Sequence, residues 1–139
     1  MKLIDTNVIL RFLLADSKKE YEGLYTLFSN MEDGIEKVEC KSLVFFQTIF
    51  VLKSFYGIDK DKIIPMMSKL LDCRGFHIKE RMVIKRTLDL WKEHNKEIID
   101  CYLIACLEEK GEKDLISYDQ GLDEFKINRI EPSFLKSKE

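Results

Sequence analysis

Several features that define large classes of protein are missing from this sequence. No uninterrupted apolar stretch reaches the roughly 18 residues that a membrane span requires. The N-terminus has no basic region followed by a long apolar stretch and a small-residue cleavage site, as a secretory signal would. We see no internal repeat, linker or low-complexity segment. We therefore expect a cytoplasmic protein that does not act at a membrane.

Cysteine motifs and a strong charge bias are also missing. The four cysteines show neither a C-x-x-C pair nor the spacing of zinc ligands, so we expect reduced structural thiols. The formal net charge is only −2, which argues against a broad, non-specific grip on phosphate backbones. A local basic patch or bound cations would still allow nucleic acid to bind.

The composition is that of an ordinary globular protein. The chain has 139 residues, of which 45% are hydrophobic and 35% charged. This length is enough for one domain with a sizeable core and too short for two comfortable ones. We therefore predict a single domain over residues 1–139.

Short apolar strands alternate with helices along the chain. Strands are predicted at 1–4, 37–40, 114–119 and 127–130, with a weak candidate at 75–78. Helices are predicted at 8–14, 21–31 behind an Asp16-Ser17 cap, 43–56 behind a Ser42 cap, from 58 onward, 82–93 and 98–110. This alternation implies right-handed crossovers and a mostly parallel sheet covered on both faces. We predict the α/β class with three α/β/α layers.

Three aspartates stand where chemistry is expected. Asp5 and Asp119 each follow a short apolar strand, and Asp100 lies near the start of a helix. Ligands of open α/β sheets bind at the carboxyl ends of strands, so these acids become neighbours if the two strands are adjacent. Converging carboxylates repel each other unless a cation is present, and hard divalent ions prefer oxygen ligands.

Each aspartate also has a structural interpretation. Asp5 could cap the helix that follows it, which we rate about equal to metal binding. Asp119, before Gln120-Gly121, could be a turn residue, and Asp100 a first-turn helix aspartate. The combination of the three is more specific than any one of them.

Four segments together resemble a PIN domain, most closely the VapC toxins of VapBC toxin–antitoxin pairs. They are Ile4-Asp5-Thr6-Asn7-Val8-Ile9-Leu10-Arg11, the helix Ser42 to Leu52 followed by Tyr56-Gly57, Asp100-Cys101-Tyr102-Leu103-Ile104-Ala105, and Ile116-Ser117-Tyr118-Asp119. The resemblance implies a parallel sheet flanked by helices and a Mg²⁺- or Mn²⁺-dependent endoribonuclease. It also implies RNA as substrate, a small antitoxin as partner, and a homodimer.

The resemblance assigns roles to individual residues. Asp5, Asp100 and Asp119 match the family acids, which would be both catalytic residues and metal ligands. Residues that would support them are Thr6 and Asn7 beside the first acid and Ser117 two residues before the last.

Gln47 departs from the family pattern, which has a glutamate at this place in the helix. An amide can still offer a carbonyl oxygen to a metal or its water, but it carries no charge and cannot accept a proton. The loss would be modest if the glutamate only positions groups, and about 10²–10⁴-fold if it is the base.

Other residues carry weaker signals. Arg11 could neutralise phosphate or form a surface ion pair. His77 and His94 show no ligand or dyad spacing, which favours structural roles. Aromatic side chains of the 43–56 helix could stack on bases, although their spacing favours the core or a dimer interface: Phe45, Phe46, Phe50, Phe55 and Tyr56. The clusters Lys18-Lys19, Lys60/Lys62 and Lys85-Arg86 are interpreted as solvated faces.

The sequence therefore predicts a metal-dependent endoribonuclease, the toxin of a type II toxin–antitoxin pair. The alternative is a weakened or inactive PIN module that binds RNA or a protein partner, for which Gln47 is the reason. A metal-dependent phosphatase or DNA nuclease is a third interpretation.

Overall fold

The computed structural model describes residues 1–15 and 21–134 of the chain. These residues group into two compact units, Met1–Arg81 and Met82–Glu139, called here the first and second units. The single domain predicted over 1–139 stays a prediction. The Asp16-Ser17 cap and the Lys18-Lys19 cluster lie outside the described residues.

The first unit holds a three-stranded parallel sheet and four helices. In chain order its elements are β1 (Lys2–Leu3), α1 (Thr6–Leu13), α2 (Leu24–Glu32), β2 (Val38–Glu39), α3 (Ser42–Ser54), α4 (Lys60–Asp72) and β3 (Phe76–His77). The strand order is β1-β2-β3, with Lys2 opposite Val38 and Val38 opposite Phe76. Helix α1 packs on α2 and α3, α3 on α4, and α4 on β3.

The second unit holds two helices and a two-stranded parallel sheet. Its elements are α5 (Arg81–Glu93), α6 (Ile98–Lys110), β4 (Asp114–Ile116), a 3₁₀ helix (Gln120–Glu124), β5 (Asn128–Ile130) and a second 3₁₀ helix (Pro132–Phe134). Asp114 lies opposite Asn128 and Ile116 opposite Ile130. Helix α6 has the predicted bounds, and Gly111 ends it in the left-handed conformation, with φ at +66°.

Apolar side chains from every helix are buried. In the first unit, those with at most 1% exposure include Ile9, Met31, Phe45, Ile49, Leu52, Ile63, Met67, Leu71 and Phe76. In the second unit they include Ile84, Trp91, Cys101 and Ala105. Alternating helices and parallel strands confirm the predicted α/β class. Among residues 1–15 and 21–134, no helix combines the length and apolar character needed to cross a bilayer.

Three local predictions were wrong. The sheet was expected to be covered on both faces, but both residues of β1 are exposed and Leu3 is 63% accessible. Ser42 was expected to cap α3; it is the first helical residue instead, and the cap position belongs to Lys41. The strand before Asp119 ends early, at Ile116, because the hydroxyl of Ser117 accepts a hydrogen bond from the Asp119 amide and turns the chain.

Candidate active site

Asp5 lies at the junction between β1 and α1. Its backbone takes the extended conformation of a helix cap, with φ −95° and ψ 155°, and its carbonyl accepts the amides of Val8 and Ile9. The carboxylate makes no cap hydrogen bond to the helix and is exposed. The capping interpretation of this side chain therefore does not hold, because the backbone makes the helix start without it. The carboxylate is left available for a ligand.

Four predicted site residues of the first unit, Asp5, Thr6, Asn7 and Gln47, line one open pocket of about 470 Å³. It is lined by Asp5, Thr6, Asn7, Leu10, Gln47, Val51, Phe55 and Tyr56. Gln47 is exposed on α3 between buried Phe46 and buried Thr48. Gln47 and the Asp5 segment therefore line the same pocket.

Arg11 lies elsewhere. Its guanidinium carbon sits 5.4 Å from the centre of the Tyr21 ring, a cation–π contact. Arg11 does not line the pocket that holds Asp5. Its predicted role in supporting the site stays a prediction.

Asp100 and Asp119 influence each other within the second unit. Asp100 lies in the first turn of α6 and is half-buried. Burial raises the pKa of the Asp100 carboxyl above its ordinary value, and the negative charges of Asp119 and Glu97 raise it further. Lys96 opposes this shift. The repulsion is what two neighbouring carboxylates show when no cation separates them.

Local hydrogen bonds hold Asp119 in place. Its side chain accepts the amide of Gly121 at 2.9 Å and so caps the 3₁₀ helix, which bears out the turn interpretation. Its own amide donates to Ser117 Oγ at 3.0 Å. The Gly121 amide donates to Oδ1 of Asp119, so the other carboxylate oxygen, Oδ2, can still bind a metal ion. Capping and metal binding are compatible at this residue.

A basic group beside these acids was not predicted. Lys96 Nζ lies 3.1 Å from Glu124 Oε1, and His94 Nδ1 contacts the other oxygen of that carboxylate. A Cβ added at Gly121 would meet Lys96 Nζ at 2.8 Å and Asp119 Oδ1 at 3.0 Å. The ammonium and the aspartate are therefore neighbours on either side of Gly121.

The sequence carried little signal for this cluster. Lys96 precedes α6 and so has no helical register with Asp100. Glu124 contacts residues about 30 positions earlier in the chain, and sequence spacing predicts contacts only between residues close together. Hydrogen bonds from His94 and Lys96 lower the pKa of the Glu124 carboxyl. The His94 ring also packs 4.5 Å from Phe125, a structural contact.

The aromatic residues of α3 divide into two groups. Phe45 and Phe46 are buried, as the core interpretation requires. Phe50, Phe55 and Tyr56 are exposed, so they do not belong to the core, and the dimer interface stays a prediction for them. Phe55 and Tyr56 also line the pocket with Asp5. The helix ends at Ser54, and the two rings follow its last turn, where α3 no longer faces the core.

The donor chemistry of these residues suits a hard cation. Aspartate oxygens are the ligands that Mg²⁺ and Mn²⁺ prefer, and Asp100 and Asp119 repel each other. Within the described parts of either unit, no three His, Cys, Asp or Glu side chains are arranged to hold a metal ion. The four cysteines are free thiols, and burial raises the pKa of Cys40 to about 12, which makes that thiol a poor nucleophile at neutral pH.

Comparison with known proteins identifies a family and a relative. The PIN domain family model matches residues 2–128. A VapC ribonuclease from Aquifex aeolicus (strain VF5) is 21% identical over 132 residues, which cover 95% of this chain and 97% of the relative. The similarity therefore extends over nearly the whole of both chains.

Proposed function

Because the chain belongs to the PIN domain family, we propose that it is a metal-dependent endoribonuclease and the toxin of a toxin–antitoxin pair. The main observation behind the proposal is that the negative charges of Asp100 and Asp119 repel each other, with Lys96 beside Asp119. The likeness to a VapC ribonuclease supports RNA as the substrate. Asp5, whose carboxylate is exposed, matches the remaining acid of the family pattern.

Asp5, Asp100 and Asp119 are the proposed ligands of Mg²⁺ or Mn²⁺. When bound, the ion supplies an activated water and stabilises charge that develops on the phosphate. The Asp100 carboxyl holds its proton more tightly than an ordinary aspartate, because burial and Asp119 disfavour its charge. Asp100 would hold such an ion in its ionised form, because the charge of a bound cation would offset the repulsion from Asp119.

The remaining residues position these groups. Ser117 holds the backbone of Asp119 through the hydrogen bond to its amide. Gln47, in the pocket of Asp5, offers a carbonyl oxygen and an amide but cannot take a proton from water. Thr6 and Asn7 line the same pocket and offer polar groups to substrate. Lys96 places one positive charge beside the acids.

Cleavage of a single-stranded RNA in Mg²⁺ or Mn²⁺ tests this function. The Asp5→Asn variant keeps the shape and removes the charge, so we expect cleavage to fall at least 10²-fold. The exposed Asp89→Asn, on α5, serves as the matched control and should cleave like the parent. Equal cleavage by Asp5→Asn and the parent would remove Asp5 from the mechanism.

Gln47 supports a second candidate function, a PIN module that binds RNA or a protein partner without hydrolysing RNA. With glutamine at position 47, the site residues have one carboxylate fewer than the family pattern. Among the residues that line the pocket of Gln47, Asp5 is the acid, and no second acid replaces the missing glutamate. A parent protein that already turns over RNA in metal rules this candidate out.

The partners follow from the same proposal. We expect RNA as substrate, a small antitoxin that binds the toxin, a homodimer, and a cytoplasmic location. A short open reading frame directly upstream that encodes a DNA-binding antitoxin would support the toxin assignment.

A further inference from the structure

Two exposed aromatic rings stand at the C-terminal end of α3. The Phe55 side chain is 78% accessible and that of Tyr56 is 39% accessible. The ring centres are 4.9 Å apart and the planes meet at 76°, an edge-to-face pair. Helix α3 is already anchored by buried Phe45, Ile49 and Leu52. The exposed pair is therefore not needed to hold the helix.

The backbone beneath the rings is well ordered by hydrogen bonds. The amides of Phe55 and Tyr56 both donate to the Val51 carbonyl, at 2.9 and 3.2 Å, and the Ile58 amide donates to Leu52. Gly57 makes this closure possible with φ at +64°, which a residue with a side chain rarely adopts. The rings are therefore presented from an ordered helix end, so binding a ligand there requires no ordering of the backbone.

The same rings line the pocket that contains Asp5 and Gln47. Its volume of about 470 Å³ lies within the range of small-molecule sites, roughly 300–1,000 Å³. One end of the lining is aromatic, and the other carries a carboxylate and amides. A nucleotide has matching parts, since its base offers a flat face and its phosphate would be drawn to a divalent ion held by the Asp5 carboxylate.

We propose that Phe55 and Tyr56 form a subsite that binds one unstacked base of single-stranded RNA, next to the phosphate that is cleaved. This rests on the proposed ribonuclease function. Stacking on an aromatic ring tolerates any base, because every base has a π face. The subsite therefore favours single strands and loops over duplex RNA, in which the bases are already stacked.

The lining favours a nucleotide over a second copy of the chain. A dry protein interface over this pocket would bury the Asp5 carboxylate beside Gln47 and Asn7. A buried charge without a partner is strongly unfavourable. RNA avoids this cost, because it arrives with the divalent ions that accompany its phosphates.

Binding of a short single-stranded RNA that contains 2-aminopurine tests the subsite. The full chain carries Asp119→Asn to prevent cleavage, with Mg²⁺ present. We expect Phe55→Ala to bind about 5- to 100-fold more weakly and to lose the fluorescence quenching that stacking causes. Phe55→Trp should restore both. Tyr25→Ala removes an aromatic ring that is 79% exposed on α2 and outside the pocket, and should bind like its parent.

The outcomes separate this proposal from the ribonuclease function. If Phe55→Ala and Tyr25→Ala bind alike while the unmodified chain cleaves RNA, the subsite is wrong and the function stands. If the unmodified chain neither binds nor cleaves RNA, both are wrong. If light scattering shows that Phe55→Ala converts a dimer to monomers and RNA binding is unchanged, the rings belong to an interface between copies and the subsite is overturned.

Discussion

At the level of single residues, charge at Gln47 and Asp100 has the largest consequences for chemistry. Gln47 has an amide nitrogen where the glutamate of the family pattern has a second carboxylate oxygen, and it lines the pocket of Asp5. Asp100 carries a charge that its surroundings disfavour. Gln47 therefore lacks a negative charge that would attract a cation. Asp100 has a negative charge that is unfavourable in the metal-free protein.

Restoring the carboxylate at Gln47 should raise activity. We expect Gln47→Glu to cleave RNA at least 10-fold faster than the parent, and 10²–10⁴-fold faster if the group acts as a base. Gln47→Met has similar length without polar atoms and is the matched control, which should not gain activity. A large gain from a baseline near zero would identify a degenerate enzyme. No gain over an active parent would mean that Gln47 is outside the reaction.

Removing the charge at Asp100 should stabilise the metal-free protein at neutral pH. The folded-state pKa of Asp100 is raised from its ordinary value of 3.8, so the ionised form destabilises the fold at pH values above the raised pKa. This penalty disappears as the pH falls below 3.8. Urea unfolding from pH 7 to pH 3 should show Asp100→Asn above the parent at pH 7, with the difference shrinking on acidification.

The control for this titration is Asp89→Asn, which changes an exposed aspartate on α5. Its unfolding free energy should stay within about 0.5 kcal/mol of the parent at every pH. A stability difference for Asp100→Asn that does not change with pH would contradict the electrostatic explanation.

At the level of elements, close backbone approach determines where the strands of the first unit can pair. Gly75 precedes β3, donates its amide to the Met31 carbonyl at 2.7 Å and accepts the Val38 amide at 2.8 Å. A Cβ at this position would lie 2.0 Å from the Glu36 carbonyl oxygen. The atom in the way belongs to the backbone and cannot rotate aside. Strands β2 and β3 can therefore pair in this register only if residue 75 is glycine.

Gly75→Ala should therefore destabilise the protein strongly. We expect a loss of about 3 kcal/mol in unfolding free energy, near the upper end for overpacked sites, and a fall in Tm of roughly 10 °C. Gly23→Ala is the matched control, because no described atom lies within 4 Å of its added Cβ and its φ is −75°. Its effect should stay within about 0.5 kcal/mol. Equal melting of the two variants would contradict the packing argument.

At the level of the whole molecule, the charge balance requires a cation for the proposed function. The formal net charge of −2 gives RNA no general attraction. Asp100 and Asp119 add local repulsion toward phosphate. Divalent ions would remove both obstacles, so metal binding and substrate binding should rise together.

Divalent metal should stabilise the folded chain. Thermal melting in Mg²⁺ or Mn²⁺ should show an increase in stability of about 2.7 kcal/mol at a concentration 100-fold above Kd. Asp119→Asn should lose most of this gain, and KCl at equal ionic strength should not reproduce it. Melting that is unchanged at millimolar metal would undercut the proposed metal ligands.

Local order and family membership could be predicted from the sequence alone. The bounds of α6, the stop at Gly111 and the α/β alternation depend on residues close together in the chain, where periodicity and capping act. The PIN resemblance depended on short segments in the right order, and the family match over residues 2–128 confirms it together with the PIN-like fold class.

Only the tertiary structure decided which side chains meet and which remain exposed. It brought Lys96 beside Asp119 across a glycine and placed Phe55 and Tyr56 at the pocket of Asp5. It also left β1 exposed where a sheet covered on both faces was predicted. Burial and long-range pairing depend on contacts between residues far apart in the chain. The hydropathy of neighbouring residues in the sequence does not determine those contacts.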